Sequence, residues 1–479
     1  MYAYQKKGFW AGLILFFLIL FLPPPEGLSI TAWKVAAVAV LMAVWWASEA
    51  IPVAITSLFP LALFPLIGIV DFKTAALPYS NPNIYLFLGG FILALGIEAS
   101  GLHKRMALSM ILIVGRSASS LIGGFMLVAA LISMFVMNTS TTLMLLPIGL
   151  AVCSVVSQTI PDLSDIKRSH FDTALLLGIA YAATLGGMST LIGTAPNIVF
   201  KAFMQDTYGV EISMSSWMMM GVPLSAIMLL CTWIILTKFV FPVNFVASSE
   251  TRNHLRSMLS ELGPISKDEK KVMAIFAFAV FSWMTRSTLV QFEALSGLTD
   301  AGIALIAAIL LFITPSASKK GEILNWEKSK ELPWGLLLLF GGGLSLAAQI
   351  SSSGLGLWIG NSLLALQDVP DLVLILAVAT MIIFLTEITS NVTTTTTFLP
   401  VFGGIALAIG VLPVSLTIPV CLAASCAFML PVATPPNAIV YGSNKFTIAT
   451  MMKAGFALNI LGIIVVTFFS YYVSPIIFG

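Results

Sequence analysis

Apolar segments long enough to form membrane-spanning helices follow one another along almost the whole chain. Uncharged runs such as 9–22, 35–48 and 455–475 approach or reach the ~20 residues that a helix needs to cross a bilayer. The pattern predicts about eleven helical spans, at 9–22, 32–48, 53–70, 83–101, 171–201, 217–241, 273–291, 300–315, 334–352, 418–443 and 455–475. Two of these spans, 171–201 and 418–443, contain an interruption with Thr, Pro and Asn.

Two further apolar segments, about 120–158 and about 372–412, differ from the spans because each has polar residues near its centre. The first centre reads NTSTT from position 138, and the second reads NVTTT from position 391. A segment with such a centre is a poor simple span. Its polar tip can leave the helix where it is buried in protein and lines a cavity, so both segments are predicted to be re-entrant hairpins.

The two polar centres belong to a repeat that extends beyond them. The interval in sequence between Asn138 and Asn391 equals the interval between the prolines that follow them, Pro147 and Pro400. At a slightly shorter offset, the motif GTAPN at 193–197 matches ATPPN at 433–437. Each half therefore holds five spans and one hairpin. The odd number of spans gives the halves opposite orientations, as in transporters built from inverted repeats.

The composition places the chain in the membrane. Of its 479 residues, 58% are hydrophobic and 9% are charged, whereas a soluble protein carries about 25% charged residues. The predicted fold is an all-α polytopic membrane protein with two inverted repeats. The predicted divisions are a first transmembrane helix, a first repeat, a polar cytoplasmic linker and a second repeat, at 1–30, 31–245, 246–272 and 273–479.

The basic residues predict the orientation of the spans. With the amino terminus in the cytoplasm, most of the 23 Lys and Arg residues lie inside, Arg116 and Lys319 among them. The outside set is Lys34, Lys73, Lys201 and Arg286. This imbalance follows the positive-inside rule for a cell-membrane protein and places the carboxyl terminus outside. The hairpin at 120–158 then opens inward and the one at 372–412 opens outward. A cleavable signal peptide is the competing interpretation of the first segment, but Pro23-Pro24-Pro25 follows it and favours a retained helix.

The four polar breaks suggest ion and anion binding. Proline ends a helix, and the freed carbonyl oxygens suit a desolvated Na⁺, while helix amino termini attract carboxylates. Glu387 is the one charged residue within five positions of either tip. An anion held by neutral donors, with its charge compensated by Na⁺, is therefore favoured. Glu387, Glu49 and Glu98 are also candidate functional acids, although capping or interfacial solvation would explain each of them.

The polar tips have three competing interpretations besides transport. Ser and Thr are common at helix contacts in membranes, so a single tip could serve packing alone. An intramembrane enzyme is disfavoured because the sequence has no His-Glu-x-x-His motif, nucleophile elbow or phosphate loop. A channel is the remaining rival, and paired hairpins around a central site favour alternating access over an open pore.

Three segments resemble the divalent anion/sodium symporter family, which includes the INDY-type di- and tricarboxylate transporters. They are Phe135–Pro147, Leu385–Asn391 and 433–437. The resemblance covers essentially the whole chain in order and spacing. It implies a homodimer in which a scaffold domain forms the interface and a transport domain carries both hairpins like an elevator. It also implies Na⁺ as the coupling ion, with no organic cofactor and no nucleic-acid partner.

The resemblance also assigns the residues of the site. The first Na⁺ site is expected at Ser133, Met137, Asn138 and Gly193. The second is expected at Thr386, Thr389, Ser390, Asn391 and Ala433. The substrate carboxylates are expected at Asn138, Thr139, Asn391 and Val392, bordered by Thr194, Pro196, Thr434 and Pro436.

Two positions depart from the family pattern. Met137 stands where the pattern has Ser, and a thioether is a poor Na⁺ ligand, so only the backbone carbonyl at 137 can serve. Val392 replaces Thr and removes one hydroxyl donor to the substrate. The expected function is Na⁺-driven import of C4-dicarboxylates such as succinate, malate and fumarate. A dicarboxylate:dicarboxylate antiporter is the alternative for the mechanism, and citrate or sulfate for the substrate.

Overall fold

The structure is a computed structural model that describes residues 3–113, 117–159, 164–245, 249–318, 320–362 and 368–478. Arg116 and Lys319 of the predicted inside set, and positions 246–248 at the start of the predicted linker, lie outside the described residues. Across the described residues the regular elements are helices, and an isolated β-bridge joins Pro315 to Glu322.

The first half of the chain forms helices α1 to α12. They are α1 Ala3–Phe21, α2 Ile30–Ser48, α3 Val53–Thr56, α4 Phe59–Leu66, α5 Phe72–Ala76, α6 Pro82–Ala99, α7 Leu102–Ile113, α8 Ala118–Ser133, α9 Asn138–Thr159, α10 Asp165–Gly187, α11 Ala195–Tyr208 and α12 Met214–Ile234. A short 3₁₀ turn, Leu77–Ser80, joins α5 to α6, and α12 continues as the π-helical turn Ile235–Val240.

The second half forms helices α13 to α24. They are α13 Ser249–Glu261, α14 Lys267–Leu289, α15 Asp300–Ile313, α16 Trp326–Ser329, α17 Trp334–Ser352, α18 Leu355–Ser362, α19 Asp371–Thr386, α20 Asn391–Ala408, α21 Pro413–Ala424, α22 Pro435–Tyr441, α23 Ile448–Phe468 and α24 Ser474–Phe478. A 3₁₀ turn, Glu293–Leu295, precedes α15, and a π-helical turn, Phe469–Val473, joins α23 to α24.

Seven helices of the described chain are long and apolar enough to cross a membrane. They are Ile30–Ser48, Phe72–Ala99, Asn138–Gln158, Met214–Val240, Lys267–Leu289, Trp334–Ser352 and Ile448–Phe478. The predicted all-α polytopic membrane fold is confirmed. Six of the seven fall on predicted spans, and the seventh is one arm of the first predicted hairpin. The count of eleven spans stays a prediction.

The predicted span 53–70 is divided in the structure. Residues Val53–Thr56 and Phe59–Leu66 form two short helices with a turn between them. Pro60 stands in the first turn of the second helix, and a proline at that position cannot continue the preceding one because its ring clashes with the carbonyl four residues earlier. The apolar pattern alone did not reveal this break.

The four polar breaks lie where the sequence predicts them. Helices α8 and α9 are separated by residues 134–137, and α19 and α20 by residues 387–390. The long spans 171–201 and 418–443 are interrupted at 188–194 and at 425–434. Each break follows a buried helix end and precedes a new helix that begins with Asn or with a Pro in its first turn.

Helix α10 lies within the hairpin region, a name used here for α8–α12 and α19–α23. Every residue from Phe171 to Gly187 is buried, and the helix packs against α8, α9, α12 and α22. The approach to α8 is so close that a Cβ atom on Gly186 would overlap the backbone of Ala130. A helical stretch that is buried on every face belongs in the interior, so the carboxyl-terminal end of α10 is held by packing on all sides.

The polar segment predicted as a linker contains the helix α13, which docks on α7 and α9. Leu255 of α13 is buried. Arg105 of α7 pairs with Glu269 at 2.7 Å and donates to the carbonyl oxygens of Gly263 and Leu262 at 2.9 and 3.1 Å. These contacts fix the turn between α13 and α14 against the hairpin region.

A buried ion cluster joins α11 to the carboxyl end of α14 and the amino end of α15. The ammonium of Lys201 lies 2.7 Å from the carboxylate of Asp300, and Arg286 lies 3.1 Å from the other oxygen of that group. Two further side chains of α11, Gln205 and Asp206, bond to asparagines at the start of α6. One face of α11 is therefore held by polar contacts.

We predict that Asp300→Asn lowers the free energy of unfolding by about 3–5 kcal/mol, because it leaves the buried charge of Lys201 uncompensated. The midpoint of thermal unfolding in detergent measures this. Glu331→Gln breaks an exposed pair with Lys328, which contributes at most ~1 kcal/mol, and is the matched control. Equal midpoints for the two variants would contradict the prediction.

Candidate functional site

The first hairpin tip gathers oxygen atoms around Asn138. One terminal atom of the Asn138 amide lies 2.6 Å from the Ser133 hydroxyl, 3.1 Å from the carbonyl oxygen of Ala183 and 3.3 Å from that of Gly193. If that atom is the amide nitrogen, it donates to these oxygens. If it is the amide oxygen, four oxygens converge on one point, which is the ligand set that a hard cation prefers.

Two glycines make this cluster possible. A Cβ atom on Gly187 would lie 2.5 Å from the Asn138 amide oxygen and 3.0 Å from the carbonyl oxygen of Gly193. A Cβ atom on Gly193 would lie 2.5 Å from the carbonyl oxygen of Gly187 and 2.9 Å from that of Met134. Any side chain at either position would fill the space between the oxygens.

A threonine that the sequence did not single out ties this tip to the neighbouring break. The hydroxyl of Thr190 donates to the carbonyl of Met134 and accepts the N–H of Gly193 at 3.0 Å. Of the expected ligands, Met137 has a half-buried side chain, and its carbonyl accepts the N–H of Thr141 at 3.0 Å. The structure thus brings Ser133, Asn138 and Gly193 together.

The second tip repeats the hydroxyl–amide pair. The Thr386 hydroxyl lies 2.9 Å from the Asn391 amide oxygen and 2.8 Å from the carbonyl of Ala424. The interval in sequence between Ser133 and Thr386 equals the interval between Asn138 and Asn391. Both tips therefore place one hydroxyl and one side-chain amide against a carbonyl of the helix before a break.

The remaining expected ligands of the second tip have different partners. The hydroxyl of Thr389 lies 2.9 Å from the carbonyl of Leu385 and 2.6 Å from the hydroxyl of Thr394. The carbonyl of Ser390 accepts the N–H of Thr394 at 2.9 Å. Ala433 is buried in the break before α22.

Glu387 holds the second tip against the break at 425–434. Its carboxylate, only 3% exposed, accepts the N–H groups of Phe428, Met429 and Leu430 at 2.8, 2.9 and 3.1 Å. The side-chain amide of Asn459 donates to it at 2.9 Å. Successive N–H groups that point at one carboxylate form a strong charge-assisted site. The sequence identified Glu387 as a candidate but gave no partner for it.

Each long break is also braced by the asparagine that closes its Thr-x-Pro-Asn sequence. Asn197 donates to the carbonyls of Gly187, Met188 and Thr190, the last at 2.7 Å. Asn437 donates to the carbonyls of Ala427 and Leu430, both at 3.1 Å. Both asparagines are fully buried. Buried carbonyls freed from a helix need such donors.

The expected substrate contacts border these breaks. Thr139 is half-buried and Val392 is buried, each one position after a tip asparagine. Thr194 and Thr434 precede α11 and α22, whose first turns contain Pro196 and Pro436. The Thr434 hydroxyl accepts the N–H of Asn437 in the first turn of α22, whereas the Thr194 hydroxyl caps no N–H group of α11.

A cavity of about 660 Å³ lies beside the first hairpin. Its walls include Ser140, Thr141 and Pro147 from α9, Glu98 from α6, His103 and Lys104 from α7, and Met258 and Glu261 from α13. The polar centre of the first hairpin therefore borders an open space next to the linker helix.

A family model described as the sodium:sulfate symporter transmembrane region matches residues 6–478. The chain belongs to this family. The resemblance to the divalent anion/sodium symporters is thereby confirmed, and the chain is a transporter and not an enzyme.

Two curated relatives are similar over nearly the whole chain. The sodium-dependent dicarboxylate transporter SdcS of Staphylococcus saprophyticus is 41% identical over 479 residues, which is 99% of this chain and 92% of the relative. SdcS of Staphylococcus aureus strain USA300 is 40% identical over 485 residues, which is 100% of this chain and 92% of the relative.

Two solved structures share the fold. The YdaH transporter of Alcanivorax borkumensis aligns over 98% of this chain and 96% of its own, with a TM-score of 0.52 and 13% identity. MtrF of Neisseria gonorrhoeae aligns over 98% and 94%, with a TM-score of 0.56 and 14% identity. At identities this low, the likeness supports only the fold of this symporter-family chain.

We predict that Glu387→Gln lowers the thermal unfolding midpoint in detergent. A carboxamide has one acceptor oxygen, so it leaves at least one of the three N–H groups unpaired, and each costs about 1–3 kcal/mol. Glu98→Gln changes an exposed carboxylate beside the cavity and should leave the midpoint unchanged. An unaltered midpoint for Glu387→Gln would show that the carboxylate does not hold the break.

Proposed function

We propose that the chain imports C4-dicarboxylates such as succinate, malate and fumarate, driven by Na⁺. The observation that carries this proposal is the repeated hydroxyl–amide pair, Ser133 with Asn138 and Thr386 with Asn391, each beside a broken helix. The SdcS relatives are named as sodium-dependent dicarboxylate transporters, which supports the substrate class and the ion.

The two oxygen clusters are the proposed Na⁺ sites. The first consists of Ser133, Met137, Asn138 and Gly193, with the carbonyl of Ala183 added. The second consists of Thr386, Thr389, Ser390, Asn391 and Ala433, with the carbonyl of Ala424 added. Unwound carbonyls and half-helix ends coordinate Na⁺ in broken-helix transporters. Glu387 adds an acidic side chain next to the second cluster, whereas the residues of the first cluster include no acidic one.

The proposed substrate site lies between the clusters. The dicarboxylate would contact Asn138, Thr139, Asn391 and Val392, within a border formed by Thr194, Pro196, Thr434 and Pro436. The amino termini of α9, α11 and α20 carry partial positive charge, which stabilises carboxylates. Bound Na⁺ would compensate the remaining charge and couple import to the membrane potential, worth about 2.3 kcal/mol per charge per 100 mV.

An elevator movement in a homodimer is part of the proposal. The transport domain would contain both hairpins with α10–α12 and α21–α23, and the scaffold would contain α1–α6 and α14–α17. The close packing of α10 on α8, α9 and α22 supports one unit that carries the first hairpin. The cavity beside the first hairpin supports its inward-opening mouth, with the amino terminus in the cytoplasm.

Uptake of radiolabelled succinate by purified protein in proteoliposomes tests the function. We expect uptake to require external Na⁺ and to increase with an inside-negative potential. Uptake that depends only on internal dicarboxylate, without a Na⁺ effect, would identify an antiporter and overturn the proposal. Competition by unlabelled citrate and sulfate measures the substrate range.

We predict that Gly187→Ala reduces Na⁺-driven uptake at least tenfold, because its Cβ atom would occupy the first oxygen cluster. Gly297→Ala places the same methyl group in open space and is the matched control. Both variants are compared for uptake and for elution as a folded protein in size-exclusion chromatography. A folded Gly187→Ala protein with normal uptake and normal Na⁺ affinity would remove the first cluster from the ion path.

A further inference from the structure

One side chain of the first half reaches into the broken helix of the second. Tyr181 of α10 is fully buried, and its hydroxyl donates to the carbonyl of Phe428 at 2.7 Å. The two rings also pack edge to face, with their centres 5.3 Å apart. The N–H of the same residue, Phe428, is bound by the Glu387 carboxylate at 2.8 Å. Phe428 is therefore held from one side by the first half and from the other side by the second hairpin.

Each end of this connection lies close in sequence to a residue of one oxygen cluster. Ala183, whose carbonyl faces the Asn138 amide at 3.1 Å, comes two residues after Tyr181 in the same buried helix. Glu387 follows Thr386, whose hydroxyl faces the Asn391 amide. Two hydrogen bonds, joined to the clusters through the backbone on either side, thus connect the first cluster through Tyr181 and Phe428 to the second.

A reciprocal contact exists in the opposite direction, but it is weaker. Cys421 stands at the same offset from Tyr181 as Asn437 does from Asn197. Its sulfur lies 3.6 Å from the side-chain oxygen of Asn197 in the first break. A thiol is a weak donor, whereas a phenol hydroxyl at 2.7 Å makes a full hydrogen bond. The tyrosine makes the stronger of these two contacts.

We propose that Tyr181 is a positioning residue that couples the two oxygen clusters, so that an ion in one raises the affinity of the other. The inference rests on the proposed function, because it takes both clusters as Na⁺ sites. An ion at the first cluster fixes the end of α10 and with it the Tyr181 hydroxyl. The second ion then binds at the break 425–434 when that segment is already ordered. The conformational entropy of the segment is therefore lost once for two ions, which raises the affinity for the second.

The test compares two tyrosines whose hydroxyls both donate to a backbone carbonyl. Tyr181→Phe removes the bond to Phe428 and keeps the ring, while Tyr79→Phe removes the bond to Ser57, far from the tips in sequence. Succinate uptake is measured against Na⁺ concentration at saturating succinate. For the wild type and Tyr79→Phe we expect a sigmoidal curve with a Hill coefficient above 1.

For Tyr181→Phe we expect the Hill coefficient to fall toward 1 and the half-saturating Na⁺ concentration to rise about threefold or more. The maximal rate at high Na⁺ should stay within about twofold. Thermal unfolding of both variants is measured in parallel. A merely structural bond would lower the unfolding midpoint and leave the shape of the Na⁺ curve unchanged, and that result overturns the coupling.

A second variant keeps the proposal testable if Tyr181→Phe does not fold. Cys421→Ala removes the weaker reciprocal contact and should lower the Hill coefficient in the same direction by a smaller amount. An unchanged coefficient in the folded variants overturns the coupling while the Na⁺ dependence of the wild type still supports the proposed function. A wild type without Na⁺ dependence removes the proposed function and the coupling together.

Discussion

Backbone groups that leave their helix inside a membrane protein must find partners within the protein, and this requirement governs the hairpin region. No water is available in the hydrocarbon core to bond the freed N–H and C=O groups, and each unpaired group is costly. The structure meets the requirement with buried side chains. Asn197 and Asn437 donate to the carbonyls of the two long breaks, and Glu387 accepts three successive N–H groups. The breaks can therefore be permanent features of the fold.

The two halves meet this requirement with different chemistry. In the first half, the Thr190 hydroxyl ties the tip to the break through neutral bonds, and in the second half a buried carboxylate does so. Met137 and Val392 add to the inequality, since each stands where the family pattern has a hydroxyl side chain. The two halves of the repeat thus differ in charge, and the two proposed Na⁺ sites are expected to differ in affinity as a physical consequence.

The site is connected to the rest of the molecule by a few polar contacts within apolar packing. Helix α10 is buried along the whole stretch that leads to the first cluster, and close approach at Gly186 fixes its position against α8. Helix α11 starts at the first long break and is held through Lys201 to Asp300. Any movement of the hairpin region relative to α14 and α15 has to exchange this buried ion pair for other partners.

The sequence by itself determined the membrane class, the positions of the four breaks and the repeated tips. These are local signals, because a polar residue or a proline within an apolar run marks a break at its own position. The family resemblance added Ser133 and Thr386 to Asn138 and Asn391, and the structure places each hydroxyl beside its asparagine. Only the tertiary structure decided that span 53–70 is divided, that the polar segment folds as α13, and that Thr190 and Tyr181 belong to the hairpin region. Their roles come from contacts with residues far away in the chain, such as Tyr181 with Phe428, and no local pattern in the sequence encodes the distance between two such residues.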